Sequence, residues 1–136
     1  AVAFADGGGR SPGESRSRVA MWRAGLPAPL LQYEVRTADG RLVGIVDFAW
    51  PELHTVGEFD GRVKYGDRFL RPGRSAAESL YLEKLREDGI RAEDLGMTRW
   101  TWPDIDGFAP VAARLRGQYR GSAHLLATRA WPDMRG

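Results

Sequence analysis

The chain has no cysteine, and only two histidines and two lysines in 136 residues. Without thiols there are no disulfides and no thiolate metal centres, and the composition fits a cytoplasmic protein. No apolar run approaches the ~18 residues that a membrane span needs. No signal-peptide pattern opens the chain. A strong excess of either charge is also missing. The formal net charge is +2, so bulk electrostatics give only a weak pull toward nucleic acid. What is present is enough for a core. Hydrophobic residues make up 43% and charged residues 28%, the balance of a globular domain. The length suits one domain.

Lys64 and Lys84 are the only lysines among twenty basic residues; the others are arginine. A bias of that kind reflects coding background, and Lys64 stands out against it. The two histidines, His54 and His124, receive no role.

The chain divides into a flexible leader (1–12), a domain (13–120) and a C-terminal tail (121–136). "AVAFADGGGRSP" is rich in glycine and forms no element. With Ala1 rather than Met in first place, the chain is expected to be a piece of a longer or processed protein. Ser11, Pro12 and Glu14 start a helix that runs to about Ala24, and Gly25 stops it. Leu30–Thr37 and Arg41–Ala49 read as a hairpin around "ADGR", closed by Pro51. A third strand covers about His54–Asp60. A long basic loop follows. Ser75–Gly89 reads as a helix with Leu80, Leu82 and Leu85 on its apolar side. "GMTRWTW" is a fourth strand, with Trp100 and Trp102 in the core. A last helix spans about Ile105–Tyr119. The order α-β-β-β-α-β-α predicts an α/β (α+β) fold, a mixed β-sheet flanked by helices.

Within "IVDFAWPELHTVGEFDGRVKY" three acids lie on or beside two adjoining strands. Side chains alternate along a strand, so Asp47 shares a face with Val43 and Ile45, and Glu58 and Asp60 share one with His54 and Val56. If the two strands pair, Asp47 comes beside Glu58. Like charges that close raise each other's pKa unless a cation lies between them. Magnesium suits such a pair, taking hard oxygen ligands and leaving positions for water and phosphate, and it supports phosphodiester cleavage. The plainer reading makes Asp60-Gly61 a turn, Asp47 a strand end and Glu58 a solvated edge residue. The loop 62–74 then adds Arg62, Lys64, Arg68, Arg71 and Arg74 against Asp67 alone. That surplus suits phosphate contacts, or simply a solvated loop. Lys84, Arg86, Glu83 and Glu87 read as a solvated helix face with intrahelical pairs.

The same stretch, "GRLVGIVDFAWPELHTVGEFDGRVKY", resembles the core of PD-(D/E)xK nucleases, in particular the bacterial branch similar to very-short-patch-repair endonucleases. That pattern has an Asp near one strand end, Glu-x-Asp-Gly on the next strand, and His or Lys three residues after the Gly. Asp47, Glu58, Asp60, Gly61 and Lys64 match it. "SPGESRSRVAMWRAGL", with Glu14, and "EKLREDGIRAEDLGMTRWTWPDI" extend the resemblance over about Ser11–Tyr119. It implies a restriction-endonuclease-like fold and a magnesium-dependent DNA endonuclease, with manganese as a substitute metal, that cuts with a metal-activated water. It implies Asp47 and Glu58 as metal ligands, with the Phe59 carbonyl beside them. Asp60 is a further ligand or only a turn residue. Glu14 acts through water or only caps its helix. Lys64 orients the water or stabilises the phosphate. The superfamily's usual Glu-x-Lys is here Glu-x-Asp. The partner is DNA, with no membrane, and an upstream winged-helix domain is compatible with the resemblance. The alternative is a catalytically inactive nuclease-fold domain that binds DNA or protein, as part of a regulator or a toxin–antitoxin component. A purely structural oligomerisation module is a third reading.

Overall fold

The computed structural model describes residues 11–61, 75–121, 131, 132 and 134. Helix α1 (Pro12–Arg23) begins where Ser11 caps it. The Ser11 hydroxyl accepts the Glu14 amide at 3.1 Å, and Pro12 fills the first turn where no amide donor is needed. Strands β1 (Leu30–Arg36) and β2 (Leu42–Trp50) form the expected hairpin. A 3-10 turn at Pro51–Leu53 ends at His54 in the left-handed conformation, φ +55°. β3 (Thr55–Phe59) follows, then α2 (Ala76–Arg91), β4 (Gly96–Trp100), a short α3 (Trp102–Asp106) and α4 (Ala109–Gln118).

The four strands make one sheet in the order β1-β2-β3-β4. The first three are antiparallel neighbours, and β4 joins β3 in parallel after the α2 crossover. This is the mixed sheet flanked by helices that the element order predicts, consistent with a restriction-endonuclease-like core. Three boundaries differ from expectation. β3 starts at Thr55, because the 3-10 turn consumes His54, which therefore does not share a strand face with Glu58. β4 ends at Trp100, since Pro103 follows and Asp104 takes the Thr101 amide to start α3. The last helix is broken in two at Gly107.

One core cluster joins Met21 of α1, Phe48 and Trp50 of β2, Trp100 of β4, and Val111 and Leu115 of α4. The other joins Val35, Val46, Ala49, Val56, Met97 and Ile90 of α2. Trp100 is 1% exposed. It stacks on Phe48 at 5.6 Å and donates its indole N–H to Ser17 at 2.8 Å, as a buried indole must find a partner. Trp102 is only half-buried, meeting the Phe59 ring edge-on at 5.0 Å.

Two glycines set the packing. A Cβ on Gly57 would lie 2.7 Å from the Trp100 ring, and one on Gly13 would lie 2.0 Å from the Phe59 ring. The first turn of α1 therefore rests directly on the end of β3. That contact carries Glu14, the next residue, to the sheet's acidic end.

Candidate active site

The β2–β3 ladder runs through the pairs Trp50–Thr55, Ala49–Val56 and Phe48–Gly57. One step further, Asp47 stands across from Glu58. There Asp47 takes over from the backbone: its Oδ2 accepts the Phe59 amide at 2.9 Å. The acid is thus pinned to β3 by its own side chain.

Asp47 has an unusual proton affinity. Burial raises its pKa first, followed by the negative charge of Glu14; the charge of Glu58 and a hydrogen bond to Glu14 add to this. The Phe59 amide pulls the other way, and the result is a pKa of about 7. The carboxyl groups of Asp47 and Glu14 are electrostatic neighbours. Glu14 also accepts the Gln32 side-chain amide at 3.3 Å. The Ser11 cap leaves the Glu14 side chain available for this, because only the Glu14 amide enters the cap.

Glu58 is in a different setting. Its side chain is 13% exposed and meets Arg86 at 2.5 and 3.1 Å and Arg99 at 3.4 Å. Arg86 also donates to the Ile45 carbonyl at 2.6 Å and to Glu83 at 3.3 Å. Arg99 continues the network to Glu83 and to Glu87, the latter at 2.9 Å. Burial opposes the charge on Arg86. The hydrogen bond and charge of Glu58, then the charges of Glu83 and Asp47, outweigh it and hold its pKa above the usual guanidinium range.

The side of α2 turned to the sheet therefore carries Glu83, Arg86, Glu87 and Ile90. Leu80, Leu82 and Leu85, expected on the apolar side, are 41–52% exposed. The reason is the network itself: the stripe that meets Glu58 and Arg99 must be charged, and the leucines fall off it. Lys84 belongs to the solvated side and pairs with Asp88 at 3.1 Å. Asp60 prolongs the parallel ladder by donating its amide to the Trp100 carbonyl at 2.8 Å. Lys64, Arg62, Arg68, Arg71 and Arg74 lie outside the described residues.

The structure thus brings Asp47, Glu14 and Glu58 to one end of the sheet, and adds Arg86, Arg99 and Gln32, to which the sequence reading gave no part in the site. The i, i+3, i+4, i+7 spacing of Glu83, Arg86, Glu87 and Ile90 is the signal that would have found the inward charged stripe. Magnesium is commonly held by one or two carboxylates, with water and phosphate completing its shell. Asp47 and Glu14 fit that demand: they are adjacent oxygen donors whose repulsion a cation would relieve. Among the described residues no group of three or more Asp, Glu or His side chains forms a metal-binding set.

Fold and site define a mixed α/β domain with a carboxyl pair at the open end of its sheet and an arginine-held glutamate beside it. A 57-residue segment is 42% identical to two Mycobacterium tuberculosis proteins, "Uncharacterized protein MT2308" of strain CDC 1551 / Oshkosh and "Uncharacterized protein Rv2248" of strain ATCC 25618 / H37Rv. The match covers 42% of this chain and 21% of each relative. No family model matches the chain and no solved structure matches it significantly. No helix among the described residues is long and apolar enough to cross a membrane.

Proposed function

We propose that the chain is a metal-dependent DNA endonuclease-like domain of the very-short-patch-repair type, hydrolysing phosphodiester bonds. The observation that carries this reading is the Asp47–Glu14 pair, two carboxyl groups held together with Asp47 raised to a pKa of about 7. Folding two like charges together is costly unless a proton or a cation compensates them. Asp47 and Glu14 would hold magnesium, with Glu58 alongside. Bound there, magnesium would activate a water and offset the charge that grows on the phosphate.

The chain's own residues do the rest. Phe59 fixes one oxygen of Asp47 through its amide. Arg86 and Arg99 keep the second acid, Glu58, in place. Lys64 is proposed to meet the phosphate at the transition state, and Arg62, Arg68, Arg71 and Arg74 to hold the DNA backbone. The proposed test is supercoiled plasmid incubated with magnesium or manganese. Wild type should nick it and Asp47→Ala should not; equal nicking by both would reject the site.

One observation favours the non-cutting rival, a nuclease-fold domain that binds DNA or protein. Glu58 is already matched by two guanidinium groups, and Asp60 stands where the superfamily's lysine usually does. Salt-sensitive DNA binding without nicking under any divalent metal would establish that reading instead.

A further inference from the structure

Gln32 is held in an uncommon backbone conformation. Among the described residues, three other than glycine have positive φ: Gln32 at +49°, His54 at +55° and Asp94 at +64°. His54 ends the 3-10 turn, and Asp94 lies in the turn between α2 and β4. Both are turn positions and residue types that tolerate this region. Gln32 is neither. It sits inside β1, with regular pairs on both sides, Leu31–Phe48 and Tyr33–Val46. The register is the same before and after it, so no residue is inserted and the distortion is not a bulge.

Its place in the register is across from Asp47. Its side chain is exposed and adds nothing to either core cluster. What that side chain does is donate its amide N–H to Glu14 at 3.3 Å; the neighbouring Gly13 packs on Phe59, the residue that donates its amide to Asp47. A strained residue with no packing role persists when something nearby depends on it, and such residues concentrate at functional sites.

We propose that Gln32 is a positioning residue of the carboxyl pair: β1 turns left-handed at this point so that the Gln32 amide holds Glu14 over Asp47. This deepens the nuclease reading and rests on it. Gln32 touches neither the phosphate nor the metal. It fixes one oxygen of Glu14, as a hydrogen bond from outside the coordination shell fixes a metal ligand.

The test uses Gln32→Gly, which accepts positive φ without strain, and Gln32→Glu, which keeps the length but has no N–H to donate. Melting temperature, manganese affinity by calorimetry and plasmid nicking are measured for each. Gln32→Gly should melt no lower than wild type. It should nonetheless bind manganese about 10-fold more weakly, the usual scale for removing such a hydrogen bond. The nicking rate at saturating plasmid should fall with it while the KM for DNA stays unchanged. Gln32→Glu should lose manganese affinity too. If Gln32→Gly matches wild type in metal affinity and rate, or loses both only in step with its melting temperature, the positioning role is overturned while the nuclease reading stands. A wild type that neither binds manganese nor nicks plasmid overturns the nuclease reading, and the positioning role with it.

Discussion

Asp47→Asn should stabilise the metal-free protein, and only at high pH. The asparagine keeps the shape and an acceptor for the Phe59 amide but removes the charge. In the folded chain Asp47 has a pKa of about 7, against an ordinary value of 3.8. A folded-state pKa raised in this way means that the native state keeps its proton while the unfolded chain has released it. Stability from this group is therefore full below pH ~4, falls between ~4 and ~7, and stays lost above. A rise of roughly three units at about 1.4 kcal/mol per unit gives a ceiling of ~4 kcal/mol. Water reaches part of the site, so a difference of about 2–4 kcal/mol at pH 8 is expected. Urea unfolding of wild type and variant at pH 4, 6 and 8 measures it. Comparing the two removes the other titrating groups, which are common to both. Magnesium at pH 8 should then raise the wild-type midpoint and leave the variant's nearly unchanged, since the variant lacks one of the two proposed ligands. A wild-type-minus-variant difference that is flat from pH 4 to 8 would refute the reasoning, because the acid would then be compensated in the fold already.

The other expected outcomes concern the cations. Arg86→Ala should cost about 2–4 kcal/mol in urea unfolding, because Glu58 is left half-buried with only the longer Arg99 contact and the Ile45 carbonyl loses its donor; adding Glu58→Gln should recover part of that loss, showing that the two are coupled. Lys64→Ala should lower the nicking rate by ~10²-fold, the scale of a single electrostatic stabiliser, with manganese affinity by calorimetry nearly unchanged; full activity removes Lys64 from the mechanism. DNA binding should weaken with salt at a log–log slope of roughly −0.9 per phosphate contacted, and replacing Arg68 and Arg71 together should flatten that slope in a fluorescence-anisotropy titration.

The fold could be read from sequence where signals are local. Ser11-Pro12, the "ADGR" turn, Pro51 and Ser75 punctuate the chain, and each marks an element boundary to within a residue or two. Strand alternation gave the faces of Asp47 and Glu58, and the β2–β3 pairing on which their meeting depended is present. What could not be read depends on contacts between distant segments. Leu80, Leu82 and Leu85 look like the buried side of α2 by composition. The helix is rotated instead by ion pairs to Glu58, 28 positions from Arg86, and to Arg99, 12 and 16 positions from Glu87 and Glu83, separations longer than any helical period. The positive φ of Gln32 has no marker either, since glutamine is not a residue that announces a left-handed turn. Glu14 was open between a cap and a site residue. The structure divides the functions within one residue, with its amide in the cap and its carboxyl group beside Asp47.

The two central acids face opposite conditions although they stand on neighbouring strands. Arg86 and Arg99 reach Glu58 directly. Asp47 has one backbone amide, a buried position and a second acid against it. Both guanidinium groups reach Glu58 and tie it to Glu83 and Glu87, while Gly13 lets α1 approach Phe59 closely enough to bring Glu14 to the Asp47 side. Under the nuclease proposal, Asp47 with Glu14 is the place where a divalent cation would offset charge. Arg86 and Arg99 hold Glu58 in the scaffold, so under the nuclease proposal the affinity for a cation would be set on the Asp47 side.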